Sequence, residues 1–524
     1  MTMIDKWSPY VFGIDLGTSF SEIAIYRKGR SEVLKIDGEE KVASVMTVLK
    51  TGEILVGREA RARMMIDPEN TVASIKREMG TEWTKVFEGL PDKTYKPEDI
   101  QTEVLTKLIN GARESGVNLR GTPRFVVICV PANFTDPQKK ATLEAGAKAN
   151  LEVLYLLEEP VAAALAYAFD QSKDQTILVY DLGGGTFDVA ILKVNSTKTG
   201  LATFEFLAKA GVPRLGGDDF DWKIMEIAAA KLKETSGIDL LDLKKDQGIS
   251  KRALGEAQQK LKDAAETAKR ELVEAQTTTI SIPSIIKDEQ GNVHNLEVEI
   301  TREQFETAVG PLIQSSKEAV ERALADAKLS MPDISRIILV GGSTHVPLVK
   351  KMLSDMFGKD PYGDLNPDTV VARGAAIYGA HLGVPAEKTE ETAAINSEDK
   401  PEGSVIIHNI VTHFLGIELV DGKFGCILEK DQEIPADKPL AGTKEYVNQR
   451  DNQTELRITV YQSESKADVV SVPGVVCIGE LFVPIAPKPR GQEKAAVTFE
   501  LDQQNLLKVK VTTSLGPSEI EIKR

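Results

Sequence analysis

The feature that most restricts the fold of this chain is an echo between two segments set 166 residues apart, counted from Asp15 to Asp181. Residues 11–21 read VFGIDLGTSFS and residues 179–191 read VYDLGGGTFDVAI. Each is an apolar strand ending in Asp, a glycine turn carrying Thr, and an aromatic residue opening a second strand. Together these spell a β-hairpin with an acidic shoulder and a glycine tip. Spacing on this scale fits duplication of a whole subdomain, so two like lobes are expected. Strand-like runs at 125–130, 176–180 and 337–340 alternate with helical patterns, as in an α/β sheet covered by helices.

Glycine at a hairpin tip lets backbone N–H groups approach an anion with no Cβ in the way, and a neighbouring hydroxyl adds a donor. Two facing tips, Gly17, Thr18 and Ser19 on one and Gly184, Gly185 and Thr186 on the other, would grip a polyphosphate. An Asp beside each tip would repel phosphate, so the fitting task for Asp15 and Asp181 is to hold water on Mg2+. A single glycine turn is as often a plain hairpin closure; a matched pair with Asp and Thr is harder to dismiss. A third glycine turn, Gly341-Gly342-Ser343, suits a phosphate or nucleoside but also serves packing.

The helix expected over 250–276 turns Leu254, Ala257, Leu261, Ala264, Ala268 and Leu272 inward. Glu266, Lys269, Arg270 and Val273 form a second stripe that would bracket a ribose and base, although a solvated charged face is the commoner meaning. Lys76 reads either as surface charge or as a phosphate ligand. Glu159 lies between a strand and a small-residue helix opened by Pro160, where it aims a carboxylate into a cleft or simply starts the helix.

At roughly 150 residues per domain, 524 residues suggest three or four packing units. With 42% hydrophobic and 27% charged residues, collagen-like, disordered and disulfide-scaffold classes are excluded. The balance of 64 basic against 79 acidic residues, −15 overall, disfavours direct binding to nucleic acid or anionic membranes, a local basic patch aside. Cys129, Cys426 and Cys477 are scattered and only five histidines occur, which argues against a zinc site or disulfide framework. With no leader-like start and no run of about 20 apolar residues, a cytoplasmic location is expected. Residues 385–404 hold six acidic and two basic residues with two prolines and read as a linker. Beyond it, Leu456, Ile458 and Val460, then Val497, Phe499 and Leu501, then Leu507, Val509 and Val511 alternate with period two, the pattern of a β-sandwich.

In chain order, GIDLGTSFS, VPANFTDPQKKA, EEPVAAALAY, YDLGGGTFDVAIL, LGGDDFD, AETAKREL, ILVGGSTHVP and NPDTVVARGAA resemble the DnaK-type heat-shock chaperone family. YQSES, PRG and VTFELD carry the likeness onward, so that it covers nearly the whole chain. The resemblance implies an α/β actin-like ATPase domain, a duplicated ribonuclease H-like fold of four subdomains, over residues 1–384. It implies a β-sandwich that grips extended peptides over 405–524. ATP and Mg2+ are the implied cofactors, with K+ as a further ion. By the same likeness Asp15, Thr18, Lys76, Glu159, Asp181, Thr186 and Asp188 stand around Mg-ATP and the attacking water, all but Asp15 and Thr18 forming the catalytic set. Gly17, Ser19, Phe20, Gly184, Gly185, Gly216, Gly217, Gly341, Gly342, Ser343 and Asp368 match phosphate and nucleoside contacts. Glu266, Lys269 and Arg270 match an adenosine clamp.

Several positions depart from the family pattern. His345 stands where most members carry an Arg over the adenine, and Val273 replaces a Ser that bonds the nucleoside. A neutral hydrogen bond is worth about 0.5–1.5 kcal/mol, so affinity is trimmed, not abolished. Tyr155 occupies the place of an Arg that receives the J-domain signal, and a neutral ring makes no bidentate contact with a carboxylate. The acidic linker replaces a short apolar one, which is expected to alter its docking, and no helical lid is expected after Arg524, so clients would leave quickly. These features favour an ATP-binding regulatory chaperone with little or no hydrolysis, similar to the atypical fungal member that pairs with the J-protein zuotin in the ribosome-associated complex. The implied partners are a zuotin-like J-protein on the sandwich, a second DnaK-type chaperone, and the ribosome reached indirectly, with nascent chains as clients. The alternatives are a short but active ATP-hydrolysing chaperone and an actin-fold small-molecule kinase, which the sandwich argues against.

Overall fold

A computed structural model describes residues 7–64, 66–168, 174–196, 201–242, 247–384, 401, 404–435 and 438–520. The first lobe is built on β1 (Val11–Leu16), β2 (Phe20–Arg27), β3 (Arg30–Val33), β4 (Phe125–Val130) and β5 (Glu152–Glu158), in the order β5-β4-β1-β2-β3. The hairpin partners β1, β2 and β3 are antiparallel, whereas β1, β4 and β5 run parallel. All six residues of β4 are buried, as expected of a parallel strand covered on both faces. Helix α1 (Glu159–Ala168) leaves directly from the end of β5.

The second lobe repeats this plan. Its strands β6 (Gln175–Leu182), β7 (Phe187–Ser196), β8 (Leu201–Val212) and β9 (Arg336–Val340) run in the order β9-β6-β7-β8. Beyond β9 a single parallel bridge, Ile338 to Tyr362, stands where the first lobe has β5. Helices α2 (Gly217–Ser236) and α3 (Lys251–Glu271) pack together over this lobe. α3 is shorter than the span 250–276 expected from the sequence. Ser250 caps it by accepting the Ala253 N–H at 3.2 Å, and the β-branched run at 277–279 enters a strand instead. Ala265 rather than Ala264 is buried, giving the inward row Leu254, Ala257, Leu261, Ala265, Ala268 and Leu272.

Helix α4 (Val370–Leu382) crosses α1 between the two sheets. The crossing is so close that a Cβ on Gly374 would lie 1.8 Å from the Ala162 carbonyl oxygen. Val11 and Val127 of the first lobe and Val179 and Val340 of the second share one buried cluster with both helices, so the lobes meet on apolar surface.

The acidic linker expected over 385–404 lies outside the described residues except for 401 and 404. At its end, Ser404–His408 forms β10, which pairs in parallel with β8 and completes a five-stranded sheet. The sandwich thus hangs from the edge of the second lobe. It consists of two four-stranded antiparallel sheets, one from Phe414–Glu418, Phe424–Leu428, Glu455–Ser463 and Val475–Pro484, the other from Leu440–Val447, Lys494–Leu501, Leu507–Thr513 and Gly516–Ile520. The three alternating runs read from the sequence do face its core, with Leu456 only partly covered.

A turn of the sandwich, residues 502–507, is seated on the first lobe. Lys139 Nζ donates to the Gln504 carbonyl at 2.9 Å, and the Leu156 N–H donates to Gln504 Oε1 at 2.8 Å. The Tyr155 hydroxyl donates to the Gln503 carbonyl at 3.1 Å, and the Leu507 N–H to Asp136 Oδ1 at 2.8 Å. Tyr155 is therefore half-buried at this seam.

Candidate functional site

The two hairpins bring their tips together. A Cβ on Gly184 would lie 2.1 Å from Ser19 Oγ, so the second tip reaches the first only because that position is glycine. The start of α2 pins the second tip: the Gly217 N–H donates to the Gly183 carbonyl at 2.9 Å and the Asp218 N–H to the Gly184 carbonyl at 2.8 Å. Between the lobes lies a cavity of about 460 Å3.

Its wall contains Asp15, Gly17, Thr18, Ser19 and Phe20 from the first hairpin, and Asp181, Gly184 and Thr186 from the second. Lys76, Glu159, Gly217, Glu266, Lys269, Arg270, Val273, Gly341, Gly342, Ser343, His345 and Asp368 complete the set expected from the sequence. Gly185, Gly216 and Asp188 support the wall from behind. A Cβ on Gly216 would lie 2.4 Å from the Gly185 nitrogen, and Asp188 Oδ1 accepts from Asn133 Nδ2 at 2.8 Å.

Lys76 is no surface charge. It is 7% exposed on the short turn Ile75–Glu78 and donates to Glu159 Oε1 at 2.6 Å. Burial lowers the Lys76 ammonium, but Glu159 and Asp15 more than offset this and leave it above the ordinary lysine value. The acids around it are strained in the opposite sense. Burial, then Glu159, pushes Asp15 and Asp188 up to about 7, and burial with Glu159 and Asp188 drives Asp181 well above the carboxylate range. One buried ammonium thus faces Asp15, Glu159, Asp181 and Asp188, an excess of negative charge that a hard divalent cation would balance. The residues therefore fit Mg2+: Asp15 and Asp181 would hold its water shell, and the ion would neutralise phosphate charge.

The nucleoside end is formed by α3 and the turn at 341–345. Lys269 Nζ is held by Asp221 at 2.8 Å and donates to the Gly217 carbonyl at 3.1 Å, and Arg270 donates to Glu266 at 2.6 Å. Burial, against Lys269, pushes Asp221 up to about 6. His345, 3.8 Å away, and Lys41, at 2.8 Å, hold Asp368 below the carboxylate range. The mouth is tied across the lobes by Arg61 to Glu266, by Ser74 Oγ to Asp218 at 2.7 Å and by Arg77 to Asp219 at 2.8 Å. Lys41, Arg61 and Arg270 lie 5.6, 5.3 and 5.7 Å from the centre of the Phe20 ring.

Sequence reasoning missed Glu22, Lys41, Asp221, Arg61 and Arg77. For Glu22 a signal was present: it follows Asp15 by seven residues, as Asp188 follows Asp181, and each pair lies directly opposite across its hairpin. Lys41 and Asp221 have no such pattern, since their roles depend on distant partners.

Two like lobes meeting over buried acids and glycine tips are compatible with an actin-like nucleotide-binding protein. The profile of the Hsp70 protein family matches residues 11–523. The chain is 40% identical over 504 residues to the chaperone protein DnaK of Thermosipho africanus, an overlap of 95% of this chain and 77% of that one. It is likewise 40% identical over 503 residues to the DnaK chaperones of Thermotoga petrophila and Thermotoga maritima, covering 95% of this chain and 78% of each. The chain belongs to the Hsp70 family of ATP-binding heat-shock chaperones.

Proposed function

We propose that this chain is an ATP-clamped chaperone in which bound nucleotide holds the two lobes and the docked sandwich as one platform, with little turnover. The carrying observation is that cavity and sandwich share one strand end. Glu159 faces Lys76 in the cavity, while its neighbour Glu158 is ion-paired to buried Lys209 and accepts from Asn409 at 3.3 Å and from Asn505 of the sandwich at 3.4 Å. A ligand that fixes Glu159 therefore bears on the seam.

Tyr155 supports a muted response to J-domains. Its hydroxyl is spent on the Gln503 carbonyl and its ring packs edge-on against Tyr378 at 5.1 Å, so it offers no cation to a J-domain carboxylate. DnaK-type chaperones work with J-domain proteins; in this reading the J-protein is a zuotin-like permanent companion on the sandwich. The ribosome and a second DnaK-type chaperone are reached through that companion in the cytoplasm, which accords with a net charge of −15 and its poor fit to direct RNA binding.

The purified chain is expected to carry ATP through gel filtration and to hydrolyse it slowly, with no acceleration by an isolated J-domain. Brisk J-stimulated turnover would replace this reading with that of an actively cycling chaperone. A pull-down should recover one stoichiometric J-protein, and recovery of client polypeptides alone would remove the partner from the proposal.

A further inference from the structure

One carboxyl group in the cavity has no task in the ATP clamp. Glu22 is 3% exposed, lines the cavity, and its Oε2 has no hydrogen-bond partner among the described residues. A buried polar atom left unmatched costs about 1–3 kcal/mol, more when charged, so this oxygen calls for a donor that arrives with the ligand.

Its surroundings say which donor. Glu22 lies directly opposite Asp15 across β1 and β2, which puts both side chains on one face with Cβ atoms about 4.5–5.5 Å apart. The second lobe has the same arrangement in Asp181 and Asp188, but there Asp188 is already bonded to Asn133 at 2.8 Å. The cations nearby are engaged elsewhere, Lys41 with Asp368 at 2.8 Å and Lys76 with Glu159 at 2.6 Å. Among the described residues no three His, Cys, Asp or Glu side chains converge as a direct metal cage. Mg2+ commonly keeps several of its waters, and bound water is a strong donor.

We propose that Glu22 is a positioning residue for Mg2+: with Asp15 it accepts hydrogen bonds from metal-bound water, so the first lobe grips the ion's hydration shell with a carboxylate pair. This rests on the Mg-ATP reading of the cavity. Glu22 then acts only when metal is present and sets how strongly the site prefers Mg-ATP to metal-free ATP. The other donors on ATP are its own ribose hydroxyls and adenine amine, and a contact with those would persist without metal.

The test is titration calorimetry of ATP into the full chain, once with Mg2+ and once with EDTA. Binding of Mg-ATP by the unaltered chain is read first; its absence would remove the reading of the cavity, independently of Glu22. Glu22→Gln keeps the shape and replaces one carboxyl oxygen by an amide nitrogen, and Glu22→Ala removes the group. Both are expected to weaken ATP binding roughly 10-fold or more in Mg2+ and to leave it unchanged in EDTA. Equal weakening in both conditions would mean direct contact with the nucleotide, and no weakening in either would mean a structural residue; each result overturns the proposal. Thermal unfolding without ligand shows that the variants are folded, and the isosteric Gln form alone suffices if the Ala form is not.

Discussion

Lys76 is the buried ammonium that offsets Asp15, Glu159 and Asp181 at the metal end of the cavity. Lys76→Met leaves Glu159 buried beside Asp15 and Asp181 with no ammonium, and breaking a buried pair in this way costs about 3 kcal/mol. Urea unfolding at neutral pH is expected to show that loss. Lowering the pH should return part of it, because the carboxyls that Lys76 had offset then take up protons. Full stability in the variant at neutral pH would show that the acids are already protonated there. The meeting of the hairpin tips was legible because few residue types allow such close approach, as Gly184 to Ser19 shows, and because the pattern occurs twice. Lys76 stood open between two readings, since a lone basic residue in NTVASIKREMG has no periodicity to betray its burial. Glu22 was written in the echo and passed over.

The element whose place the sequence left least defined is β10. From sequence, SVIIH falls at the junction of linker and sandwich, and only the open edge of β8 draws it into the sheet of the second lobe. Ile407 is 8% exposed and packs into the apolar cluster between the lobes. Ile407→Asp places a charge there with no partner, which disfavours the docked strand but not the lobes themselves. The expected outcome is a larger radius of gyration in solution scattering, as the sandwich swings away, while nucleotide binding persists. An unchanged radius would show that the turn at 502–507 holds the sandwich without β10. That turn was equally hidden: a Gln-Gln-Asn sequence between two strands looks like any polar hairpin, and its bonds to Lys139, Tyr155 and Leu156 exist only once the domains meet.

At the scale of the whole molecule, the seam and the cavity respond to acid in opposite directions. His413 is 6% exposed, with Nδ1 2.8 Å from Thr412 Oγ1; Lys139 of the first lobe, Lys430 of the sandwich and Lys209 on β8 act on it. Glu158 is paired to Lys209 and Asp326 to Lys430, so those carboxylates are already committed. Burial, then the lysines, pushes the imidazole down to about 3. A group depressed below its ordinary value near 6.5 favours docking above that pH and withdraws the contribution as pH falls below it, because only the undocked chain takes up the proton. Asp15 and Asp188, raised to about 7, behave oppositely: their burial is least unfavourable at low pH and most so above neutrality. A fluorophore pair, one on the first lobe and one on the sandwich, should therefore report separation between pH 7 and 5.5, while thermal unfolding of the nucleotide-free lobes does not fall in parallel. In His413→Gln the separation should lose its pH dependence. If it opens at the same pH as the unaltered chain, the acid response does not come from His413.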